Sequence, residues 1–384
     1  MKTKNLVVLG STGTIGINTL KIVRQYPQQF RVVGLTACNN FKLLEKQIRE
    51  FKPQYVAIGK QGFDYLRRRF DRASVKILDV DKESGFIVSL KSVDIVVIGM
   101  RGGAALAPFL GAVRHGKTVA PANKEALVMA GPLLMRLARK HNAKIIPVDS
   151  EQSAIFQCLE GHRREDLKRV ILTASGGALR KVPLTRFDRL SVNEILRHPR
   201  WKMGEKITVD SATLMNKGFE VIEAMRLFDL TVDQVQVVIH PEAIIHSMVE
   251  FKDGSIIAQM GIPDMRLPIQ YALTYPHRLG TGLASTDFYH LKQLTFGKPD
   301  FKRFPSLALA LRVAREGGTL PSVLNAADEV AVDAFLNQKI NFTGIYRIVE
   351  RTVRRHRIVR DPDLKQILEA DIWARAQATR LIEE

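Results

Sequence analysis

Cysteine is almost missing from this chain: Cys38 and Cys158 stand far apart, and neither belongs to a metal-ligand spacing. That excludes a disulfide scaffold and a thiolate zinc site, and both thiols are expected to be reduced. Also missing is any uninterrupted apolar run near the roughly 18 residues that a membrane-spanning helix needs. The opening M-K-T-K-N-L-V-V-L-G has too short an apolar part for a secretory signal and leads straight into a glycine turn. It reads as the first strand of a cytoplasmic protein. Acid is in deficit, with 39 acidic against 58 basic residues and a formal charge of +19. Such a balance suits polyanions, yet no zinc finger, RNA-recognition signature or basic zipper occurs. Phosphorylated small molecules call for the same positive potential. The excess is therefore assigned mostly to solvated faces and in smaller part to an anionic substrate and cofactor, with no nucleic-acid or membrane partner expected.

What is present has the makeup of an ordinary globular protein of two or three domains: 384 residues, 46% hydrophobic and 25% charged. Residues 5–9 form a buried-strand pattern that ends in G-S-T-G-T-I-G, with glycines at 10, 13 and 16, before a helical segment and a second strand at 30–35. Strand, glycine turn, helix, strand is the unit that lays a pyrophosphate on a helix N-terminus. The spacing is G-x-x-G-x-x-G rather than the usual G-x-G-x-x-G. After the second strand, T-A-C-N-N at 36–40 carries no acid for ribose hydroxyls, which favours NADP over NAD, although a plain polar loop explains it as well. Further strands at 55–58, 77–80, 95–98, 118–120 and 144–148 alternate with helical spacings and imply a parallel, doubly wound sheet. The loops G-M-R-G-G-A-A (99–105) and P-A-N-K-E-A (121–126) fall at its carboxyl edge, making Asn123, Lys124 and Glu125 candidate ligand contacts against the plainer reading of a surface Lys-Glu pair.

At the end of that sheet stands I-I-P-V-D-S-E-Q-S-A-I-F, residues 145–156. In extended chain, Asp149 and Glu151 project to one side. Two carboxylates forced together stay ionised most easily around a cation, and hard oxygen ligands favour magnesium or manganese over zinc. The plainer reading is a helix start, with Asp149 or Ser150 capping and Glu151 in the first turn. Beyond residue 170 the pattern changes. V-I-L-T-A runs into S-G-G at 175–177, whose amides and serine hydroxyl suit a phosphate. H-P-R-W-K-M-G (198–204) and I-T-V-D-S-A-T-L-M-N-K-G-F-E follow. There Asp210 or Ser211 is read as the cap of a helix through Leu214, Met215, Phe219 and Ile222, with Asn216, Lys217 and Glu220 on one face. Gly218 inside that helix costs roughly 1 kcal/mol against alanine, which is best tolerated where something packs closely. Strands at 235–239, 243–250 and 255–260 suggest an antiparallel region, flanked by His240 and His246 as structural histidines. Residues 275–300 read as a linker, and helical spacing fills the chain from 305 onward.

These segments, in this order, resemble the 1-deoxy-D-xylulose 5-phosphate reductoisomerase family over essentially the whole chain. The resemblance is carried by G-S-T-G-T-I-G, A-N-K-E, P-V-D-S-E, A-S-G-G, H-P-R-W-K-M-G, V-D-S-A-T-L-M-N-K-G-F-E, I-H-P, P-D-M-R-L-P and L-N-A-A-D-E. It implies an α/β fold with an N-terminal Rossmann-like dinucleotide-binding domain (1–149), an α/β, α+β-like catalytic domain (150–274), a linker (275–300) and a C-terminal helical bundle (301–384). It implies a divalent cation, magnesium, manganese or cobalt, on Asp149, Glu151 and Glu220. NADPH is implied at Thr12, Gly13, Thr14, Ile15, Cys38, Asn39, Asn40, Asn123, Glu125 and Gly204. A sugar phosphate would meet Lys124, Ser150, Glu151, Ser175, His198, Trp201, Met203, Ser211, Asn216, Lys217 and Glu220, with Met265 in the same pocket. Lys124, Glu151 and His198 are then the catalytic candidates, and Trp201 and Met203 would ride on a closing flap. The implied chemistry is a skeletal rearrangement, by retro-aldol cleavage and re-addition, followed by hydride transfer that gives 2-C-methyl-D-erythritol 4-phosphate. A homodimer is implied as well.

Some positions depart from the family pattern. Gln152 stands where histidine is usual, Asn39 where lysine or arginine is common, and Cys38 in place of a common glycine. Ala126 and Ala178 replace serine and proline in A-N-K-E-S and A-S-G-G-P. None of these touches a proposed metal or phosphate contact. A different two-domain NAD(P)-dependent dehydrogenase would explain the first 148 residues but leave D-S-E and N-K-G-F-E without a role. A basic nucleotide- or nucleic-acid-binding module would not depend on Asp149.

Overall fold

The computed structural model describes residues 3–71, 74–197 and 203–384. In chain order the first half runs β1 (Lys4–Leu9), α1 (Thr14–Gln25), β2 (Phe30–Ala37), α2 (Phe41–Phe51), β3 (Tyr55–Ile58), α3 (Lys60–Arg69), β4 (Lys76–Asp79), α4 (Val80–Ser89), β5 (Ile95–Ile98), α5 (Leu106–Arg114), β6 (Thr118–Pro121), α6 (Glu125–Lys140), β7 (Lys144–Ile145) and α7 (Ser150–Leu159). The second half runs β8 (Leu167–Ala174), α8 (Val192–Ile195), α9 (Glu205–Thr213), α10 (Met215–Leu227), β9 (Val235–Ile239), β10 (Ile245–Phe251), β11 (Ile256–Met260), α11 (Arg266–Thr274), α12 (Phe288–Leu291), α13 (Pro305–Glu316), α14 (Leu320–Leu336), α15 (Phe342–Arg355) and α16 (Leu364–Glu383). Two compact units result. The first comprises Met1–Ala126, Leu134–Ser153 and Asp264–Leu283, and the second Leu127–Leu133, Ala154–Pro263 and Ala284–Glu384.

The first unit is built on a parallel sheet of order β4-β3-β2-β1-β5-β6-β7. Leu6 to Leu9 and Val96 to Ile98 are wholly buried, as expected of central strands covered on both faces. Strand order reverses between β1 and β5, so their carboxyl ends open the crevice where such sheets bind ligands. The last strand is shorter than the 144–148 its sequence suggests. Pro147 has no N–H, which an edge strand tolerates on its open side. The chain nonetheless stays extended, because the amides of Ile146 and Val148 donate to the carbonyls of Val119 and Pro121 at 2.9 Å each.

The second unit carries a four-stranded sheet of order β11-β10-β8-β9. Its β10 is antiparallel to both β8 and β11, but β9 runs parallel to β8, which corrects the expectation of an antiparallel strand at 235–239. The chain passes from β8 to β9 through α8, α9 and α10, a crossover that delivers a parallel neighbour where a hairpin could not. Helices α13 to α16 complete this unit. α14 buries residues on nearly every side, and α16 buries Ile367, Ala370, Ala374, Ala378 and Leu381, one stripe at three- and four-residue spacing. Gly218 on α10 meets its expected close neighbour: a Cβ there would lie 2.3 Å from the Ala310 Cβ of α13.

Candidate active site

In the first unit the turn after β1 is shaped by two glycines. Gly10 has φ 75°, and a Cβ on it would strike the Gly99 carbonyl oxygen at 2.8 Å. Gly16 brings α1 onto the turn, since a Cβ there would lie 2.4 Å from the Ser11 Cα. Gly13 is the N-cap of α1 and offers no side-chain cap, and no acid occupies the first turn. The leading amides of α1, with Thr12, Thr14 and Ile15 around them, are therefore left to an anion, the arrangement that receives a pyrophosphate. Ser11 and Gln47 lock the turn to α2: the Ser11 hydroxyl donates to Gln47 Oε1 at 2.7 Å, and Gln47 Nε2 donates to the Ser11 carbonyl at 2.9 Å. Cys38, Asn39 and Asn40 are exposed at the end of β2. Asn40 caps α2 by accepting from the Leu43 amide at 3.1 Å. Asn123 is engaged by its own fold, its side chain donating to the Met100 and Gly102 carbonyls at 3.1 Å and accepting from the Ala126 amide at 3.0 Å. It thus fastens the start of α6, with Lys124 and Glu125, to the loop after β5.

The same unit holds Asp149, Ser150 and Glu151. They lie at a helix start, not on extended chain as the same-side argument assumed. The Ser153 amide donates to the Asp149 carbonyl at 2.8 Å, and the Glu151 amide to Asp149 Oδ1 at 3.3 Å. The sequence permits this because Ser and Asp compete well for cap positions. The Ser150 hydroxyl donates to Glu151 Oε2 at 2.5 Å, and the Lys124 ammonium lies 2.8 Å from Asp149 Oδ2 with both side chains largely buried. Lys124, Asp149, Ser150 and Glu151 are thus brought together, two carboxylates with one ammonium in attendance.

In the second unit the A-S-G-G turn follows β8. Gly176 and Gly177 have φ of 85° and 62°, the left-handed region, and the Gly177 amide donates to Ser175 Oγ at 3.3 Å. A Cβ on Gly177 would lie 2.5 Å from the Ser211 carbonyl oxygen, so glycine is what lets the turn after Ser175 pack against the Ser211 backbone. The sequence reading of Asp210 or Ser211 as a helix cap is corrected here. Both lie inside α9, which begins at the Gly204 N-cap, and the break comes at Leu214, φ 61°. Lys206 holds the turn containing Asp210 as helix through an ion pair four residues on, at 2.5 Å. Thr213 bridges the break, accepting from the Met215 amide at 3.2 Å. On α10 the Asn216 side chain donates through Nδ2 to Glu220 Oε1 at 2.5 Å, and the Lys217 ammonium pairs with the same carboxylate. Lys217 and Glu220 are only 3% and 1% exposed. A charge pair so buried inside a helix is expensive to desolvate and is seldom retained for stability alone. Met203 and Gly204 are half-buried, while His198 and Trp201 lie outside the described residues.

His240 is structural, as its sequence context suggests. Its Nδ1 faces the Thr295 carbonyl at 3.0 Å, and its Nε2 accepts from the Ile244 and Ile245 amides. One network escaped the sequence reading. Lys206 also pairs with Asp328 of α14 at 2.7 Å, and Asp328 is wholly buried. The signal was an acid set in the apolar run A-A-D-E-V-A-V, together with the Lys-to-Asp spacing of four.

Comparison with known proteins covers the whole chain. Residues 6–131 match a family model described as 1-deoxy-D-xylulose 5-phosphate reductoisomerase. Residues 145–228 match the model of that enzyme's C-terminal domain, and residues 260–377 one described as DXP reductoisomerase C-terminal domain. The 1-deoxy-D-xylulose 5-phosphate reductoisomerase of Chlorobium limicola is 47% identical over 380 residues, 99% of this chain and 100% of its own. That of Prosthecochloris aestuarii is 48% identical over 379 residues, 98% of this chain and 99% of its own. Among solved structures, a DOX-P reductoisomerase in complex with NADPH, fosmidomycin and magnesium superposes with a TM-score of 0.94 at 40% identity, covering 99% of this chain and 98% of that one. The Zymomonas mobilis enzyme in complex with NADPH gives 0.93 at 39% identity, with 100% of both chains covered.

Proposed function

The chain belongs to the 1-deoxy-D-xylulose 5-phosphate reductoisomerase family, and from that membership we propose how its own residues carry the reaction. It converts 1-deoxy-D-xylulose 5-phosphate to 2-C-methyl-D-erythritol 4-phosphate, a metal-dependent isomerisation and reduction at the expense of NADPH. We assign nucleotide binding to residues 1–149, catalysis to 150–274, and a helical support to 301–384 beyond the linker 275–300.

Asp149, Glu151 and Glu220 each offer a carboxylate oxygen, the hard donor set that suits magnesium, manganese or cobalt. A cation there supplies a Lewis acid and a template for the vicinal oxygens of a keto sugar. NADPH supplies the hydride, and the uncapped start of α1 fits its pyrophosphate. The turn residues Thr12, Gly13, Thr14 and Ile15 cradle the cofactor, with Cys38, Asn39, Asn40, Glu125 and Gly204 along it. Asn123 acts by fastening the loops. Lys124 and Glu151 are the groups placed to move a proton, the lysine against Asp149 and the glutamate bonded to Ser150. His198 and Trp201 are assigned to the substrate from the family motif, and Met203 with them. The observation that carries the substrate reading is a glycine turn of the second unit, which we read as a phosphate cradle. Ser175 stands on a glycine turn seated against Ser211, and the next helix carries Asn216 and Lys217 in its first turn. Hydroxyl, amide and ammonium are the donors that phosphate oxygens take.

The test follows NADPH absorbance with purified protein, 1-deoxy-D-xylulose 5-phosphate and magnesium or manganese. The expected result is oxidation that stops when either substrate or metal is withheld and returns when metal is restored after chelation. Oxidation indifferent to chelation would overturn the carboxylate assignment.

Among the described residues no helix is long and apolar enough to cross a membrane, and we assign the chain to the cytoplasm. We assign a second copy of the chain as its partner. In the second unit β11 is an edge strand, and Phe288 and Tyr289 are 65% and 99% exposed, features that an interface between copies would cover. Light scattering on the purified protein is expected to give twice the 43.2 kDa chain mass; a monomer at micromolar concentration would contradict it.

A further inference from the structure

NADPH differs from NADH by the phosphate on its adenosine ribose, and the loop that should read that phosphate, Cys38-Asn39-Asn40, contains no cation. The neighbouring strand supplies one. Parallel pairing of β2 with β3 ends at Ala37 opposite Ile58, so Cys38-Asn39 and Gly59-Lys60 leave the two strands from neighbouring ends. Adjacent strands lie about 4.8 Å apart, well within reach of a lysine side chain. The contact is close. The Gly59 amide donates to the Ala37 carbonyl at 3.3 Å, and a Cβ on Gly59 would lie 2.4 Å from the Cys38 carbonyl oxygen. One turn on, a Cβ on Gly62 would lie 2.5 Å from the Phe41 Cβ. Two glycines thus seat the first turn of α3 against the loop and against the first turn of α2.

Both of those turns carry a lysine, Lys60 on α3 and Lys42 on α2, both exposed, and neither contains an acid. A cation is the wrong sign for a helix start, where the macrodipole is already positive. Two such turns side by side form a local excess of positive charge that an anion would relieve. Nearby carboxylates do not relieve it. Glu45, three residues after Lys42, is held by Arg49, Arg69 and Tyr65, which pull its pKa down to about 2. Asp64 stands four residues after Lys60, the less favourable orientation for a helical pair. Among the described residues no ion pair joins it to Lys60.

We propose that Lys60, assisted by Lys42, holds the 2'-phosphate and so makes this chain select NADPH over NADH. The inference rests on the placement of NADPH at the turn after β1. Phosphate on ribose at the end of β2 would lie between the two lysines, with Asn39 and the Gly59 turn as neutral donors. The chain thereby recovers from α3 the charge its loop lacks.

The test compares Lys60→Ala, Lys42→Ala and the double variant with the unaltered protein, using NADPH and NADH as alternative cofactors. Adenosine 2',5'-bisphosphate and 5'-AMP serve as competitive probes of binding. Lys60→Ala is expected to raise KM for NADPH and the inhibition constant of the bisphosphate together, by roughly 10- to 100-fold, the range of a lost charge-assisted contact. NADH and 5'-AMP should stay within about twofold, and kcat with saturating NADPH should be unchanged. A smaller change of the same kind is expected for Lys42→Ala. An equal loss with both cofactors, or an unaltered preference in the double variant, would overturn the inference while leaving the cofactor reading intact. An unaltered protein that uses NADH as well as NADPH would overturn the inference too, whereas one that NADPH and both probes failed to engage would overturn the cofactor reading.

Discussion

Asp149→Asn is expected to lower turnover by on the order of a thousandfold while leaving a folded protein that still binds NADPH. The substitution keeps the size of the side chain and an oxygen for the Lys124 ammonium, now 2.8 Å from Asp149 Oδ2, but it removes the negative charge that a divalent cation needs. Loss of groups that merely orient metal ligands costs 10- to 100-fold in metal affinity or activity, and loss of a ligand's charge should cost more. Lys124 remains buried with a weaker partner, so the melting temperature should fall as well, by an amount set by one impaired buried pair. Three readouts separate the contributions. The apparent magnesium constant should rise at least tenfold, the NADPH dissociation constant should hold within about twofold, and circular dichroism should keep its native form. Metal-dependent turnover at the level of the unaltered protein would sink the assignment of Asp149 as a ligand.

The parts of the fold that could be read in advance are those where local pattern and tertiary demand agree. The strands of the first unit are short Val- and Ile-rich runs buried on both faces, and β1, β3 and β5 fall within one residue of where those runs lie. The helices of the C-terminal stretch carry their apolar stripes openly. Legibility failed where one residue's role depends on another far along the chain. Ile207, Thr208 and Val209 are β-branched and favour strand, yet they are helical in α9, where Val209 is fully buried and Lys206 is anchored by Asp328 of α14. The direction of β9 depended on the crossover from β8, which no local pattern specifies. The candidate site shows the same division. Asn216, Lys217 and Glu220 were legible as one helical face because three- and four-residue spacing guarantees it. The approach of Gly177 to Ser211 was not, since only the folded sheet brings the two together. Asp149 and Glu151 were legible as a pair, although the geometry joining them is a helix start, with the Glu151 amide donating to Asp149 Oδ1.

Lys217→Ala is expected to raise KM for 1-deoxy-D-xylulose 5-phosphate by roughly 10- to 100-fold, the span of a lost hydrogen bond to a charged group, while KM for NADPH changes less than about twofold. Lys217 is 3% exposed and its ammonium faces the Glu220 carboxylate, so two consequences of its loss must be told apart. If its main task were to balance Glu220, its removal would leave a buried carboxylate unpaired, and metal binding, kcat and stability would move while substrate affinity held. If its main task is to meet the phosphate, the loss should depend on the phosphate. The decisive comparison therefore uses 1-deoxy-D-xylulose, the same sugar without the phosphate, at high concentration. The unaltered protein should handle that sugar poorly, and Lys217→Ala should handle it no worse, because the contact being deleted is one the shortened substrate never makes. Such a cycle of two deletions isolates the interaction between the two groups. An equal penalty with and without the phosphate would move Lys217 from the phosphate to the metal side of the site and would leave Ser175, Ser211 and Asn216 as the groups that hold the phosphate.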